Sequence, residues 1–279
     1  MNKFYIQIVF FLLSVSVYLN NKTLATEPAP GKSIFKSKNS YATSEEIYES
    51  NKHLLCANPE EIQNAEKLMN EAITHLEYHA TNNHGYKHLA EDPYCNLNVY
   101  EKKYQDDTIV LNFQYILHDP NKYNETIGEF WDHNILNPID YKSTKRKIAR
   151  VYNPNLVIIQ QRYKNNPGDC EKYFYALAKK AQISEDKTII VMTSANINDH
   201  NSKNKKSYKN TLIESANLFT TDIDSEEDIR KGKLNKTFLN IGGYLIEKND
   251  NCVQITRIES IDENGSINKN ALLKSPCPF

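Results

Sequence analysis

The feature that most constrains this fold is the alternation of apolar and polar side chains along most of the chain after Tyr86. One face of the segment TIVLNFQYIL carries the apolar residues Ile109, Leu111, Phe113, Tyr115 and Leu117. Similar runs predict further strands at Lys147–Tyr152, Leu156–Tyr163, Tyr173–Gln182, Thr188–Ile197, Lys236–Glu247 and Cys252–Ile261. No helix of crossover length is predicted between these later strands, so we expect them to pair as antiparallel neighbours. The pattern indicates an α+β fold with a mainly antiparallel sheet, not a Rossmann-type sheet.

A long amphipathic helix is predicted ahead of these strands. Asn58 can cap it, Pro59 suits its first turn, and Glu61 completes a capping-box pattern. Its apolar stripe, spaced by three and four residues, consists of Ile62, Ala65, Met69, Ala72, Ile73, Leu76 and Ala80. Shorter helices are predicted at Asn121–His133 and, on the surface, at Asp224–Lys233.

The amino-terminal region has the pattern of an export signal. Lys3 precedes the apolar run Phe4–Leu19, and Ala25 supplies a small residue for cleavage. A membrane anchor is the alternative, although a spanning helix needs about 20 apolar residues. We therefore expect a signal peptide over residues 1–25, a flexible linker over 26–57 and one domain over 58–275.

Charge and motif content exclude several classes of function. The chain has 34 basic and 35 acidic side chains and a net charge of -1, which gives no general attraction to nucleic acid. It contains no GxSxG, no GxxxxGK[ST] and no GxGxxG pattern. We therefore predict a protein that is not an enzyme, has no cofactor and does not bind nucleic acid.

Two groups of possible metal ligands each lack a residue that the corresponding metal-binding motif requires. His75 and His79 lie four residues apart, but Leu76 stands where a zinc protease carries its glutamate. The acidic run Asp222–Asp228 has Glu227 where a calcium loop needs glycine. We expect ordinary polar histidines, a solvated acidic loop and no bound metal.

Aromatic residues are frequent, with 18 Tyr and 10 Phe. Tyrosines on strand faces commonly fill a core and keep the hydroxyl group at its edge. The alternative is a pocket whose rings surround a cationic head group such as choline.

Several segments resemble a known family. They are NPEEIQNAEKLMNEAITHLEYHA (58–80), KRKIARVYNPNLVIIQQRY (145–163), EKYFYALAKKAQISEDKTIIVMTSANI (171–197) and KTFLNIGGYLIEK (236–248). These segments are similar to the fam-a (PYST-A) proteins of malaria parasites, which carry a START-like lipid-transfer domain. The run Gly243–Glu247 also matches the G-[WY]-x-I-[ED] strand of START sequences. The resemblance implies a helix-grip fold, in which a curved antiparallel sheet wraps a carboxy-terminal helix and one lipid lies between them.

The carboxy terminus departs from that family pattern. After the last predicted strand only SINKNALLKSPCPF follows Gly265, and Pro276 and Pro278 oppose helix there. Spanning a sheet takes roughly 20 helical residues, and about nine are available. We therefore expect a truncated grip helix.

The resemblance implies a secreted protein, exported to the parasitophorous vacuole or host cell, that carries a phospholipid between membranes during transient contact with their surfaces. Phosphatidylcholine is the expected ligand. The alternative is a non-catalytic exported surface or host-interaction protein that keeps the scaffold without lipid transfer. Strand alternation selects as pocket lining Phe113, Tyr115, Ile158, Gln160, Tyr173, Tyr175, Val191, Thr193 and Tyr244, with Trp131 at the tunnel mouth.

Overall fold

The computed structural model describes residues 42–94, 96–104, 106–132, 143–164, 168–203 and 208–262. All of these residues belong to one compact unit. The predicted signal peptide (1–25) and the predicted truncated grip helix (after residue 262) lie outside the described residues.

Strands supply most of the described structure. In chain order they are β1 Lys87–Asp92, β2 Leu97–Lys103, β3 Ile109–Leu117, β4 Ser143–Asn153, β5 Leu156–Lys164, β6 Lys172–Ser184, β7 Lys187–Thr193, β8 Asn196–Asn198, β9 Thr220–Asp222, β10 Asn235–Lys236, β11 Phe238–Lys248 and β12 Val253–Asp262. The predicted strand at Thr188–Ile197 ends earlier, at Thr193. Its last residues belong to β8, which pairs with β9 in a separate two-stranded sheet.

The described residues form a 10-stranded sheet with the order β1-β2-β3-β12-β11-β7-β6-β5-β4, and β10 pairs with β6. Every neighbouring pair along this order is antiparallel, whereas β10 runs parallel to β6. The pairing of β3 with β12 joins the first three strands to the last two. The predicted curved antiparallel sheet of an α+β fold is confirmed.

Four α-helices accompany the sheet within the described residues: α1 Ser44–Ser50, α2 Pro59–Thr81, α3 Tyr123–Trp131 and α4 Glu227–Arg230. Helix α2 begins as predicted, because the Asn58 side chain accepts hydrogen bonds from the backbone N–H groups of Glu60 and Glu61. Glu61 does not complete a capping box. Its carboxylate instead accepts hydrogen bonds from Arg150 and Tyr152 of β4. The predicted surface helix at Asp224–Lys233 is reduced to α4, and its Ile229 is buried.

The predicted flexible linker is wrong over residues 42–57, because this part of the chain is folded. Helix α1 carries a full capping box between Thr43 and Glu46, and its Ile47 is buried. The backbone N–H of Ala42 also donates to the Asp132 carboxylate at 3.1 Å. The folded domain therefore begins before the predicted boundary at residue 58.

The sheet buries both of its faces. On one face, called here the helix face, α2 packs against β6, β7, β11 and β12. The core of the helix face includes Leu68, Met69, Ala72 and Leu76 of α2 and Leu177, Val191, Ile241 and Leu245 of the sheet. The opposite face, called here the aromatic face, has a core that includes Phe113, Tyr115, Tyr123, Phe130, Trp131, Tyr163, Phe174 and Tyr244. Strand alternation assigns each residue to one face.

Gly243 lies where α2 crosses β11. Its φ of +142° is a conformation that L side chains rarely adopt. A Cβ atom at this position would lie 2.0 Å from the Ile190 carbonyl oxygen and 2.8 Å from a methyl group of Leu76. The glycine of the predicted G-[WY]-x-I-[ED] strand therefore allows the helix and two strands to approach closely.

We predict that Gly243→Ala lowers the free energy of unfolding by about 3 kcal/mol or more, because it adds both backbone strain and overlap with backbone atoms. Gly242→Ala is the matched control, because the three atoms nearest to its Cβ would all belong to the flexible Leu239 side chain, the closest at 3.1 Å. Urea unfolding of the two variants measures the difference. Equal stabilities would contradict this role of Gly243.

His79, near the end of α2, is buried and 1% exposed. Its Nδ1 lies 2.9 Å from the Tyr86 hydroxyl oxygen, and the Tyr104 hydroxyl oxygen lies 3.4 Å from its Nε2. Burial lowers the pKa of His79 from 6.5 to about 4, and the positive charge of Lys102 acts in the same direction. The folded protein therefore holds a neutral imidazole at neutral pH.

Because unfolded His79 takes up a proton near pH 6.5 and folded His79 only near pH 4, we predict that the protein loses stability as pH falls between these values. The loss from this group between pH 7 and pH 5 is about 2 kcal/mol. Urea unfolding of the parent and of His79→Gln at both pH values separates the contribution of His79 to the pH dependence from that of the carboxylates. The same pH dependence in the variant would contradict the assignment.

Candidate functional site

A buried cation lies in the middle of the aromatic face. Arg257 on β12 continues the face of Val253 and Ile255, and the residue is 9% exposed. The strand register places it directly between Phe113 of β3 and Tyr244 of β11. Its guanidinium carbon lies 5.2 Å from the centre of the Phe113 ring, which is the geometry of a cation–π contact.

Glu259 supplies the opposite charge. It lies two residues after Arg257 on the same face of β12, and its carboxylate forms an ion pair with the guanidinium Nη2. A buried charge without a partner is strongly destabilising, so this carboxylate helps to hold Arg257 within the apolar surroundings. The pair therefore places two opposite charges within the aromatic face.

Helix α3 packs over this part of the sheet. The Phe130 ring stacks on Tyr244 with a centre-to-centre distance of 4.1 Å and an interplanar angle of 14°. The Tyr123 hydroxyl oxygen lies 2.9 Å from Thr188 Oγ1 of β7. The Lys180 ammonium lies 5.5 Å from the Trp131 ring centre, and burial lowers the pKa of Lys180. Aromatic rings and cations are therefore neighbours at two places on this face.

The structure divides the predicted lining residues between the two faces. The aromatic face holds Phe113, Tyr115, Trp131 and Tyr244. The helix face holds Ile158, Gln160, Tyr173, Tyr175, Val191 and Thr193. One pocket cannot contain both groups, so the prediction of a single lining set is wrong. Trp131, predicted at a tunnel mouth, is buried in the core of the aromatic face.

The division has a simple cause. Alternation shows which residues of one strand share a face, but it does not show which face of the next strand corresponds. Even-numbered residues of β5 and odd-numbered residues of β6 both point to the helix face, as the Gln160–Tyr175 hydrogen bond of 2.6 Å shows.

Sequence reasoning missed Arg257 and Glu259. The available signal was the segment VQITRIESID, in which both residues continue the alternate positions of Val253 and Ile255. A charged residue at an apolar position of a strand is a candidate for a buried functional group.

An open cleft of about 560 Å³ lies on the helix face beside Gln160. Its lining includes the cations Lys147 and Arg162, which pair with the carboxylates Glu226 and Asp228. Hydrogen bonds from Arg162 hold the pKa of Asp228 below its ordinary value. Burial would raise the pKa of Glu226, but hydrogen bonds from Lys147 and Gln160 outweigh burial and lower it. This mutually neutralised polar lining does not suit an acyl chain.

Among the residues that the structure describes, no group of three or more His, Cys, Asp or Glu is arranged to hold a metal ion. In the same part of the chain, no helix has both the length and the apolar character needed to cross a bilayer.

We predict that Glu259→Gln lowers the free energy of unfolding by about 2 kcal/mol or more, because Arg257 loses its carboxylate in apolar surroundings. The double variant Arg257→Met, Glu259→Leu should recover to within about 1 kcal/mol of the parent, because apolar side chains replace both charges. Urea unfolding of the parent and both variants tests this. A double variant less stable than Glu259→Gln would contradict it.

No protein-family model matches the chain, and no curated protein matches it. Among solved structures it is similar to human StAR-related lipid transfer protein 5, with 12% identity, a TM-score of 0.51, and coverage of 75% of this chain and 87% of that chain. It is also similar to human STARD10, with 15% identity, a TM-score of 0.44, and coverage of 72% and 71%. A third similar structure is the STAR-related lipid transfer protein of Xanthomonas axonopodis, with 8% identity, a TM-score of 0.42, and coverage of 70% and 93%. The chain has the START-like helix-grip fold.

Proposed function

We propose that this protein binds one phospholipid against its aromatic face, with phosphatidylcholine as the preferred ligand, and carries it between membranes. The observation that carries the proposal is the buried Arg257, which lies between Phe113 and Tyr244 in a largely apolar and aromatic face and pairs with Glu259. A phospholipid is complementary to this face, because it combines apolar chains with an anionic phosphate group.

The apolar part of the ligand supplies most of the binding energy in this proposal. Each CH₂ group removed from water contributes about 0.8 kcal/mol, so acyl chains bind firmly without covalent chemistry. Binding and release alone are sufficient for transfer, and the proposal therefore assigns no catalytic step. The protein would open during transient contact with a membrane surface.

The head group would meet the guanidinium group of Arg257 and the aromatic rings of this face. A phosphodiester pairs well with a guanidinium group, whose planar donors match phosphate oxygens. Arg257 is the cation placed for this contact. The phosphate group would then replace Glu259 as the partner of the guanidinium group. The choline group, which is a cation, would lie against aromatic rings such as those of Phe130 and Tyr244.

The fold supports lipid binding by analogy. The solved structure with the TM-score of 0.51 is a StAR-related lipid transfer protein, and its chain is covered over 87% of its length. Similar folds can carry different functions, so the argument from the site itself remains necessary.

Secretion and export complete the proposal. The apolar run Phe4–Leu19 after Lys3 supports entry into the secretory route. The similarity of the segments at 58–80, 145–163, 171–197 and 236–248 to fam-a proteins supports export to the parasitophorous vacuole or host cell.

We predict that the double variant Arg257→Met, Glu259→Leu transfers phosphatidylcholine between liposomes about tenfold more slowly than the parent, because the phosphate group loses its cation. The matched control is Arg230→Met, which removes an arginine from the exposed pair with Asp224. The control should transfer at the parent rate. Unfolding curves of both variants check that each is folded.

Native mass spectrometry of the purified full chain gives an independent measurement. A co-purifying phospholipid mass in the parent and its loss in the double variant would support the proposal. A bare parent chain that also fails to transfer lipid would contradict it and favour a host-interaction protein that keeps only the scaffold.

A further inference from the structure

Three tyrosine rings surround the Lys102 side chain on the helix face. Tyr78 lies at the end of α2, Tyr86 precedes β1 and Tyr104 follows β2, so three separate parts of the chain converge there. The Lys102 ammonium nitrogen lies 5.4 Å, 5.8 Å and 5.3 Å from the centres of these rings, respectively. We name this cluster of Tyr78, Tyr86 and Tyr104 the tyrosine cage.

The cage is held in place before any ligand arrives. The neutral His79 ring lies between Tyr86 and Tyr104, with its two nitrogens at 2.9 Å and 3.4 Å from their hydroxyl oxygens. A neutral imidazole has one donor and one acceptor nitrogen, so it can fix both hydroxyl groups at once. Such preorganisation reduces the entropy that a ligand must overcome on binding.

The cage is larger than a bare ammonium group requires. Direct contact between a carbon atom and a ring occurs at about 3.5–4.0 Å, and the observed distances exceed this. A methyl group inserted between nitrogen and ring adds a single C–N bond of about 1.45 Å. A methylated nitrogen would therefore contact the rings at the distances at which the Lys102 nitrogen now lies.

The electrostatics of the cage also favour such a ligand. In the described part of the chain, no carboxylate forms an ion pair with Lys102, whereas its neighbour Lys103 pairs with Glu101 at 3.6 Å. A site that offers only ring faces, without a carboxylate, suits a weakly hydrated quaternary cation better than a strongly hydrated ammonium. Tyr78 is 44% exposed, which leaves one wall open to an incoming group.

We propose that the tyrosine cage is a binding site for a quaternary ammonium group of the choline type, and that Lys102 occupies this site until such a group displaces it. The group can come from a choline head group at a bilayer surface or from free phosphocholine. The cage lies on the helix face and Arg257 on the aromatic face, so lipid transfer and cage binding can fail independently.

The test measures phosphocholine binding by calorimetry to the full chain and its variants. Lys102→Ala should bind at least tenfold more tightly than the parent, because the competing ammonium is removed. Lys103→Ala is the matched control and should bind like the parent. Adding Tyr78→Leu to Lys102→Ala should abolish the gain, and Tyr78 is exposed enough for this variant to fold.

Two further probes make the test specific. Phosphoethanolamine, which lacks the methyl groups, should gain much less from Lys102→Ala than phosphocholine does. Sedimentation of Lys102→Ala with phosphatidylcholine vesicles would identify a bilayer head group as the source, whereas binding of phosphocholine without sedimentation would identify the free compound. No gain in Lys102→Ala, an equal gain for phosphoethanolamine or no effect of Tyr78→Leu would overturn the proposal.

Discussion

The antiparallel pairing of β3 with β12 is the interaction on which the rest of this structure depends. It joins strands from opposite halves of the chain and makes one continuous sheet from β1 to β4. It also places Phe113 beside Arg257. Such long-range pairing forms late relative to local structure, because loop-closure entropy opposes it until many contacts form together. Both the aromatic face and the cation in it exist only after this pairing.

Two adjacent residues of β11 serve opposite faces of the sheet. Gly243 has no side chain where Leu76 of α2 packs against the strand. Tyr244 points the other way and stacks on Phe130 of α3. The Gly-Tyr step therefore provides close helix packing on one face and an aromatic wall on the other. A change at either residue affects a different core, although the two share one peptide bond.

Much of the local structure could be predicted from the sequence. The Asn58 cap and the apolar stripe that follows it identified α2, and alternation identified β3, β5 and β6 within a few residues. These features depend on neighbours in the chain, which a sequence displays directly. The folded segment around α1 was missed, because its burial depends on contacts such as that between Ala42 and Asp132, far along the chain.

The candidate site shows where sequence reasoning ends. The sequence by itself determined the residues that share a face within each strand and the helix start at Asn58. Only the tertiary structure decided that Tyr175 and Tyr244 lie on opposite faces, and that Arg257 and the tyrosine cage exist as sites. The physical reason is that alternation has a period of two residues within a strand, whereas the relation between strands depends on pairing register and turns.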